Sequence, residues 1–89
     1  MESVLNITFN SRVLTPITIN NPSYIPNFGE IVEIKAEDYL TDEEEINSLN
    51  EYAENGVWLV GFKTITYKKD LVDVLILLEE EEHFKINHS

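Results

Sequence analysis

The sequence predicts an α+β fold: a small antiparallel sheet or partly open barrel of about five strands, with one acidic helix between strands 3 and 4. Two observations carry this. Apolar and polar residues alternate through several short segments separated by turn-forming residues, the pattern of strands buried on one face. A single segment, from Thr41 to Gly56, has helical spacing and capping residues instead.

In the first strand, residues 4–9, the side chains of Leu5, Ile7 and Phe9 fall on one face. Asn10-Ser11-Arg12 has turn chemistry. A second strand is expected over residues 13–19, with Val13, Thr15, Ile17 and Ile19 on a common face. Pro16 has no N–H to give a ladder, so this strand is expected at a sheet edge or with a bulge. Residues 20–27 are rich in asparagine and proline and read as an ordered loop. The third strand is expected over residues 30–35, where Val32 and Ile34 share a side.

Thr41-Asp42-Glu43-Glu44 reads as a capping box, in which the Thr41 hydroxyl and the Glu44 carboxylate each satisfy an amide left free at the helix start. Acids in the first turn suit the positive end of the helix dipole. Ile46, Leu49 and Ala53 recur at helical spacing, flanked by Tyr52, and Asn55-Gly56 ends the helix. Residues 57–67 and 71–78 then flank Lys68-Lys69-Asp70 as a hairpin. Trp58, Val60 and Phe62 share one face, as do Val72, Val74 and Ile76. Lys63, Ile65 and Tyr67 have the opposite parity, which predicts a bulge at Gly61 where the core face changes. Residues 79–89 are expected as a polar, acidic and partly frayed tail. Residues 1–89 carry no repeat or linker and read as one domain.

Charge is the composition number with consequences. Acids number 17 against 6 bases, a net charge of −11 on 10.3 kDa. Such a charge repels nucleic acid and anionic membranes, so direct contact with either is not expected. The complementary partner is a basic protein, and in cells basic surfaces are most often nucleic-acid-binding ones. The longest apolar stretch, residues 71–78, is interrupted by Asp73 and too short to span a bilayer. No basic segment and apolar run of secretory type opens the chain, so a cytoplasmic location is expected. Without cysteine there is neither a disulfide framework nor a thiolate metal site.

Catalysis and cofactors are not expected. His83 and His88 lie in the tail, where no rigid scaffold is expected to position them, and nothing pairs Ser3, Ser11 or Ser48 with the base held in place that a nucleophile needs. Gly29, Gly56 and Gly61 are too dispersed for a phosphate-cradling loop. The acids Glu37, Asp38, Asp42, Glu43, Glu44 and Glu45 lack the central glycine of a calcium loop, so no metal is expected there.

Pro26-Asn27-Phe28-Gly29-Glu30-Ile31-Val32-Glu33-Ile34 resembles the Pro-x-x-Gly-acid-x-Val opening of a barrel strand in SH3-like small proteins common in phage genomes. That resemblance implies a partly open SH3-like barrel; the acidic helix departs from the short connections usual in the family. In charge and size the chain is similar to phage-encoded inhibitors such as the uracil-DNA glycosylase inhibitors. Glu2-Ser3-Val4-Leu5 resembles their Glu-Ser-Ile-Leu edge segment, and no residue role is carried over.

The expected partner-binding residues are Glu43, Glu44, Glu51 and Glu54 on the helix, Glu79, Glu80, Glu81 and Glu82 after the last strand, and Tyr24 and Phe28 as loop anchors. Carboxylates about 5–6 Å apart on a helix, or about 6.6 Å apart on a strand, can imitate a row of phosphates. The expected function is therefore an inhibitor or regulator, phage-encoded with an anti-defence or host-takeover role, that occludes a basic nucleic-acid-binding surface by DNA mimicry. Two alternatives stand beside it: a small structural or assembly module of SH3-like kind, and an immunity protein against a basic toxin nuclease.

Overall fold

The computed structural model describes residues 2–11, 14–52 and 57–88. The elements in chain order are β1 (Glu2–Phe9), β2 (Ile17–Asn20), β3 (Ile31–Glu33), a 3-10 turn (Ala36–Asp38), α1 (Glu43–Tyr52), β4 (Val57–Lys68), β5 (Leu71–Glu79) and α2 (Glu81–Asn87). The strands form one sheet in the order β2-β1-β5-β4-β3, curled into a half-barrel. The predicted class holds, with two differences. The sheet is mixed: β1 runs parallel to β5, while the other three pairings are antiparallel. A second helix follows β5, where the sequence predicts a partly frayed tail.

The core lies on one face of this sheet. Leu5, Ile7 and Phe9 of β1 are buried, and across the parallel ladder they stand beside Val74, Ile76 and Leu78 of β5. On the other side of β1, Leu5 and Ile7 face Ile19 and Ile17 of β2. Trp58 and Val60 of β4 complete the surface, with the Trp58 ring 4.9 Å from that of Phe9. Each fully buried side chain of this size contributes about 1.5–3 kcal/mol of transfer free energy, so these few residues supply most of the driving force. Ala36 of the 3-10 turn and Leu49 of α1 join the same cluster, placing α1 over this inner face.

β2 begins at Ile17 rather than at residue 13, because Pro16 cannot donate to a ladder. It is an edge strand, as that proline requires, and Leu14 fills the core just ahead of it. Val13 lies outside the described residues, as do Ala53 and the Asn55-Gly56 stop signal. β3 is also shorter than expected, pairing Ile31–Glu33 with Val57–Leu59 of β4. The cap of α1 is Asp42 and not Thr41. The Glu44 amide donates to Asp42 Oδ1 at 2.8 Å, and the Asp42 carbonyl accepts the first helical bond, from Ile46. A carboxylate one position later thus takes the role that the capping box assigns to the threonine hydroxyl.

The bulge falls at Gly61. Val60 pairs with Leu78, but Phe62 pairs with Leu77, so one residue is extra and the parity of β4 inverts. Lys63, Ile65 and Tyr67 continue the face of Trp58 and Val60. Phe62 turns to the outer face and is 52% exposed, against the expectation that it shares the core side of Trp58. The bulge also makes space. A Cβ at Gly61 would lie 2.5 Å from Cδ and Oε2 of Glu79, whose side chain turns to the outer face under α2. Glu79 is only 5% exposed. The Asn87 amide donates to its Oε1 at 3.3 Å, and His88 Nε2 lies 3.0 Å from its Oε2. Phe28, Phe84 and His88 form a ring cluster beside this site, with centroids 4.6–5.5 Å apart. Together these contacts dock α2 onto the outer face.

Replacing Gly61 by alanine is expected to push the Glu79 carboxylate away from Asn87 and His88, costing about 1–3 kcal/mol in urea unfolding. In a Glu79→Ala background the same methyl should cost little. The double-mutant cycle should then return a coupling of about 1 kcal/mol or more; additive costs would detach the glycine from the docking of α2.

Candidate functional site

Between residues 33 and 51 the chain carries Glu33, Glu37, Asp38, Asp42, Glu43, Glu44, Glu45 and Glu51 against Lys35 alone, a net −7. All are exposed except Glu45, which is half-buried. The first turn of α1 holds Glu43, Glu44 and Glu45, where the unsatisfied amides and the helix dipole offset the mutual repulsion of the three carboxylates. The ion pairs formed among the described residues lie elsewhere, Lys68 with Asp73 and Lys85 with Glu81, and His88 lies against Glu79. The negative field of this segment is therefore not neutralised by any described base. Glu43, Glu44 and Glu51 sit in it as expected, while Glu54 lies outside the described residues.

The second expected cluster does not form. Glu79 completes β5 and is buried under α2, held by Asn87 and His88, so it offers no charge to a partner. Strand alternation is the cause: Leu78 faces the core, so Glu79 must face the side that α2 covers. Glu80 precedes α2 and is half-buried, Glu81 is paired with Lys85 at 3.1 Å, and Glu82 is exposed. Moreover α1 packs on the inner face and α2 on the outer, so the sheet stands between the two acidic helices. They do not add up to one row of charge. His88, expected in a frayed tail, is part of the α2 anchor, whereas His83 is exposed.

The loop anchors part company as well. Phe28 is 57% exposed and sets its ring against Phe84 and His88. Tyr24, 63% exposed, turns towards the inner face and lines a pocket of about 250 Å³. The loop between β2 and β3 is tied down at both ends. The Asn21 amide donates to the Ser3 carbonyl at 2.7 Å, and Gly29, in the left-handed region at φ 83°, donates to the Val60 carbonyl at 2.8 Å. At its middle, the Tyr24 hydroxyl lies 2.7 and 2.8 Å from the two carboxylate oxygens of Glu30, and the Asn27 amide donates to Glu30 Oε1 at 2.7 Å. Lys63 Nζ closes the set by donating to Asn27 Oδ1 at 2.8 Å. The Tyr24 hydroxyl, then the Asn27 amide, hold the Glu30 carboxyl below the usual carboxylate range, with a smaller pull from Lys63. The same hydrogen bond raises Tyr24 above the ordinary phenol range.

The pocket beneath this loop has an apolar floor of Leu5, Ile7 and Ile19, and walls that include Val32 and Ile34. Its exposed lining residues are Tyr24, Ile31, Glu33 and Tyr39, and the Glu33 carboxylate forms no hydrogen bond with a described residue. Glu33 and Tyr39 belong to the acidic segment itself. The pocket and the field therefore share a border. Glu33 and Tyr39 were not among the expected site residues. The run of acids from Glu33 to Glu45 is a visible charge signal, but the pocket is made by strands distant in sequence. No three His, Asp or Glu side chains among the described residues come together to hold a metal ion. Comparison with family models, with curated proteins and with solved structures finds no match.

The Tyr24–Glu30 pairing predicts two pH limits. A depressed Glu30 contributes stability that is present above the unfolded carboxylate pKa, near 4.5, and lost as pH falls through the folded value. A raised Tyr24 contributes stability that is present below the unfolded phenol pKa of 10.0 and lost as pH rises through the folded value. The Asn27 amide resonance should therefore stay constant at neutral pH and move at both extremes; in Glu30→Gln the acid-side movement should vanish.

Proposed function

We propose that this protein acts by binding and not by catalysis, as an inhibitor or regulator that covers a basic, nucleic-acid-binding surface of another protein. The observation that carries the reading is the acidic segment from Glu33 to Glu51, exposed and unneutralised by the described bases. Basic surfaces that bind nucleic acid draw most of their non-specific affinity from charge neutralisation, and a rigid acidic face competes for the same term. The charge is carried by α1 and the 3-10 turn, with Glu43, Glu44 and Glu51 at its centre; Glu79 plays no part. The neighbouring pocket gives the charge a point of attachment. Its volume is below the roughly 300–1,000 Å³ of small-molecule sites and suits one side chain. A lysine or arginine of the partner would lay its methylene stem on the apolar floor and keep its head beside the Tyr39 ring, at the border of the acidic segment.

The alternative of an assembly module also has an observation behind it. Beyond β3, β4 presents an edge that no described residue pairs, bearing exposed Phe62, Ile65 and Tyr67. An immunity protein against a basic nuclease would use the acidic face in the same way as the leading reading.

The test is binding to a partner captured from host lysate, measured with salt and duplex DNA as competitors. Charge-driven occlusion predicts steep salt dependence and displacement by DNA. The double variant Glu44→Lys with Glu51→Lys should lower affinity at least about tenfold, near 1.4 kcal/mol, and flatten the salt slope. Both side chains are exposed, so the fold should be retained. Unchanged affinity in that variant would remove α1 from the interface.

A further inference from the structure

We propose that the free edge of β4, from Phe62 to Lys68, pairs antiparallel with the same edge of a second copy of this chain, centred on Ile65. β4 has 12 residues, but β3 pairs only with Val57–Leu59, and beyond them the loop contacts Val60 through Gly29 and Glu30. From Phe62 to Lys68 no described residue pairs with the side of β4 that faces away from β5.

The turn at Lys69-Asp70 fixes which backbone groups are free. It is a two-residue turn joining the directly opposed pair Lys68 and Leu71. The residues flanking such a turn exchange hydrogen bonds with each other, and alternation follows along the ladder. Phe62, Thr64, Thr66 and Lys68 thus turn their N–H and C=O towards β5, and Lys63, Ile65 and Tyr67 turn theirs outward. An edge of this length with free backbone groups is a template for another strand, and proteins that keep such an edge unpaired blunt it with a proline or a bulge. Neither occurs between Phe62 and Lys68. Lysine is the other residue that blunts an edge, and the two in this stretch are held by their own copy: Lys63 donates to Asn27 Oδ1 at 2.8 Å and Lys68 lies 3.5 Å from Asp73 Oδ2.

The sequence of this edge is complementary to itself. Placing Ile65 opposite Ile65 sets Thr64 against Thr66, Lys63 against Tyr67 and Phe62 against Lys68. Each of those pairs lies on a single face of the joined sheet, and every outward N–H and C=O of Lys63, Ile65 and Tyr67 finds a partner. Opposed threonines are favourable across strands, and neither Lys63 against Tyr67 nor Phe62 against Lys68 sets like charges opposite each other. Phe62, Ile65 and Tyr67, now 52%, 45% and 77% exposed, would each gain an opposed neighbour, and the two Ile65 side chains would pack on each other at the axis. Charge selects the same place. Two copies that each carry −11 repel over most of their surface, but between residues 63 and 73 Lys63, Lys68 and Lys69 face only Asp70 and Asp73. An isologous contact about Ile65 brings the least acidic parts of the two copies together. The inference does not depend on the acidic face of α1, which lies at the other end of β4.

Sedimentation equilibrium of the full chain should show concentration-dependent doubling of the 10.3 kDa mass. Ile65→Pro deletes only an outward N–H and leaves the β5 ladder intact, and Ile65→Lys opposes two like charges at the axis. Both should sediment as monomers while the amides of Thr64 and Thr66 stay protected from exchange. The protein has no cysteine, so a single introduced thiol reports the register. Ile65→Cys should oxidise to a covalent dimer, its Cα atoms about 5.5 Å apart in a hydrogen-bonded pair, within disulfide reach. Tyr67→Cys, facing Lys63, should not. A wild-type chain that stays monomeric into the millimolar range would overturn the proposal. So would a dimer that persists in Ile65→Lys, or a crosslink that forms in Tyr67→Cys and not in Ile65→Cys.

Discussion

The parallel ladder between β1 and β5 is the constraint on which the rest of the molecule depends. It joins residues 2–9 to residues 71–78, far apart in the chain, and every other element is hung between them or on their flanks. Leu5, Ile7 and Phe9 interlock with Val74, Ile76 and Leu78, and only this side-by-side arrangement gives β5 a neighbour on both edges. Parallel pairing cannot be closed by a tight turn, so the segment from β2 to β4 serves as one long connection. The ladder is non-local, and loop-closure entropy must be met before its contacts form. Folding is therefore expected to wait on the association of β1 with a hairpin that can form earlier from local contacts.

That hairpin is bent to two purposes by one glycine. The extra residue at Gly61 inverts the parity of β4, so its first half contributes Trp58 and Val60 to the core and its second half sends Phe62 outward. The missing Cβ also admits the carboxylate of Glu79, giving α2 a buried acceptor for Asn87 and His88. A buried carboxylate is tolerable only when hydrogen-bonded, and here the strand end and the helix end meet on it. The outer face near β3 is thereby closed, while the distal half of the hairpin is left exposed.

The consequence is a molecule with two unlike ends. Around α1 and the 3-10 turn the charge is unneutralised by described bases and borders a side-chain-sized pocket. At the hairpin the charge is nearly balanced, and the surface is aromatic and aliphatic. An acidic face acts over a Debye length, whereas an apolar edge acts only on contact.

Local pattern was readable from the sequence because it depends on neighbours in the chain. The alternation in β1, the hairpin about Lys69-Asp70, the bulge at Gly61, the helix and the concentration of acid around it all follow from residue type and spacing. What the sequence alone did not determine is who stands beside whom. The parallel partner of β1, the burial of Glu79, the contact of Phe28 with His88 at the end of α2 and the pocket between β1, β3 and Tyr39 each join residues far apart in the chain. Glu79 shows the reason most plainly. It is one of four consecutive glutamates and locally indistinguishable from the other three, yet strand parity turns it beneath a helix while Glu82 remains in water. A side chain's type decides what it can do; only the packing of distant segments decides whether it faces a partner or the core.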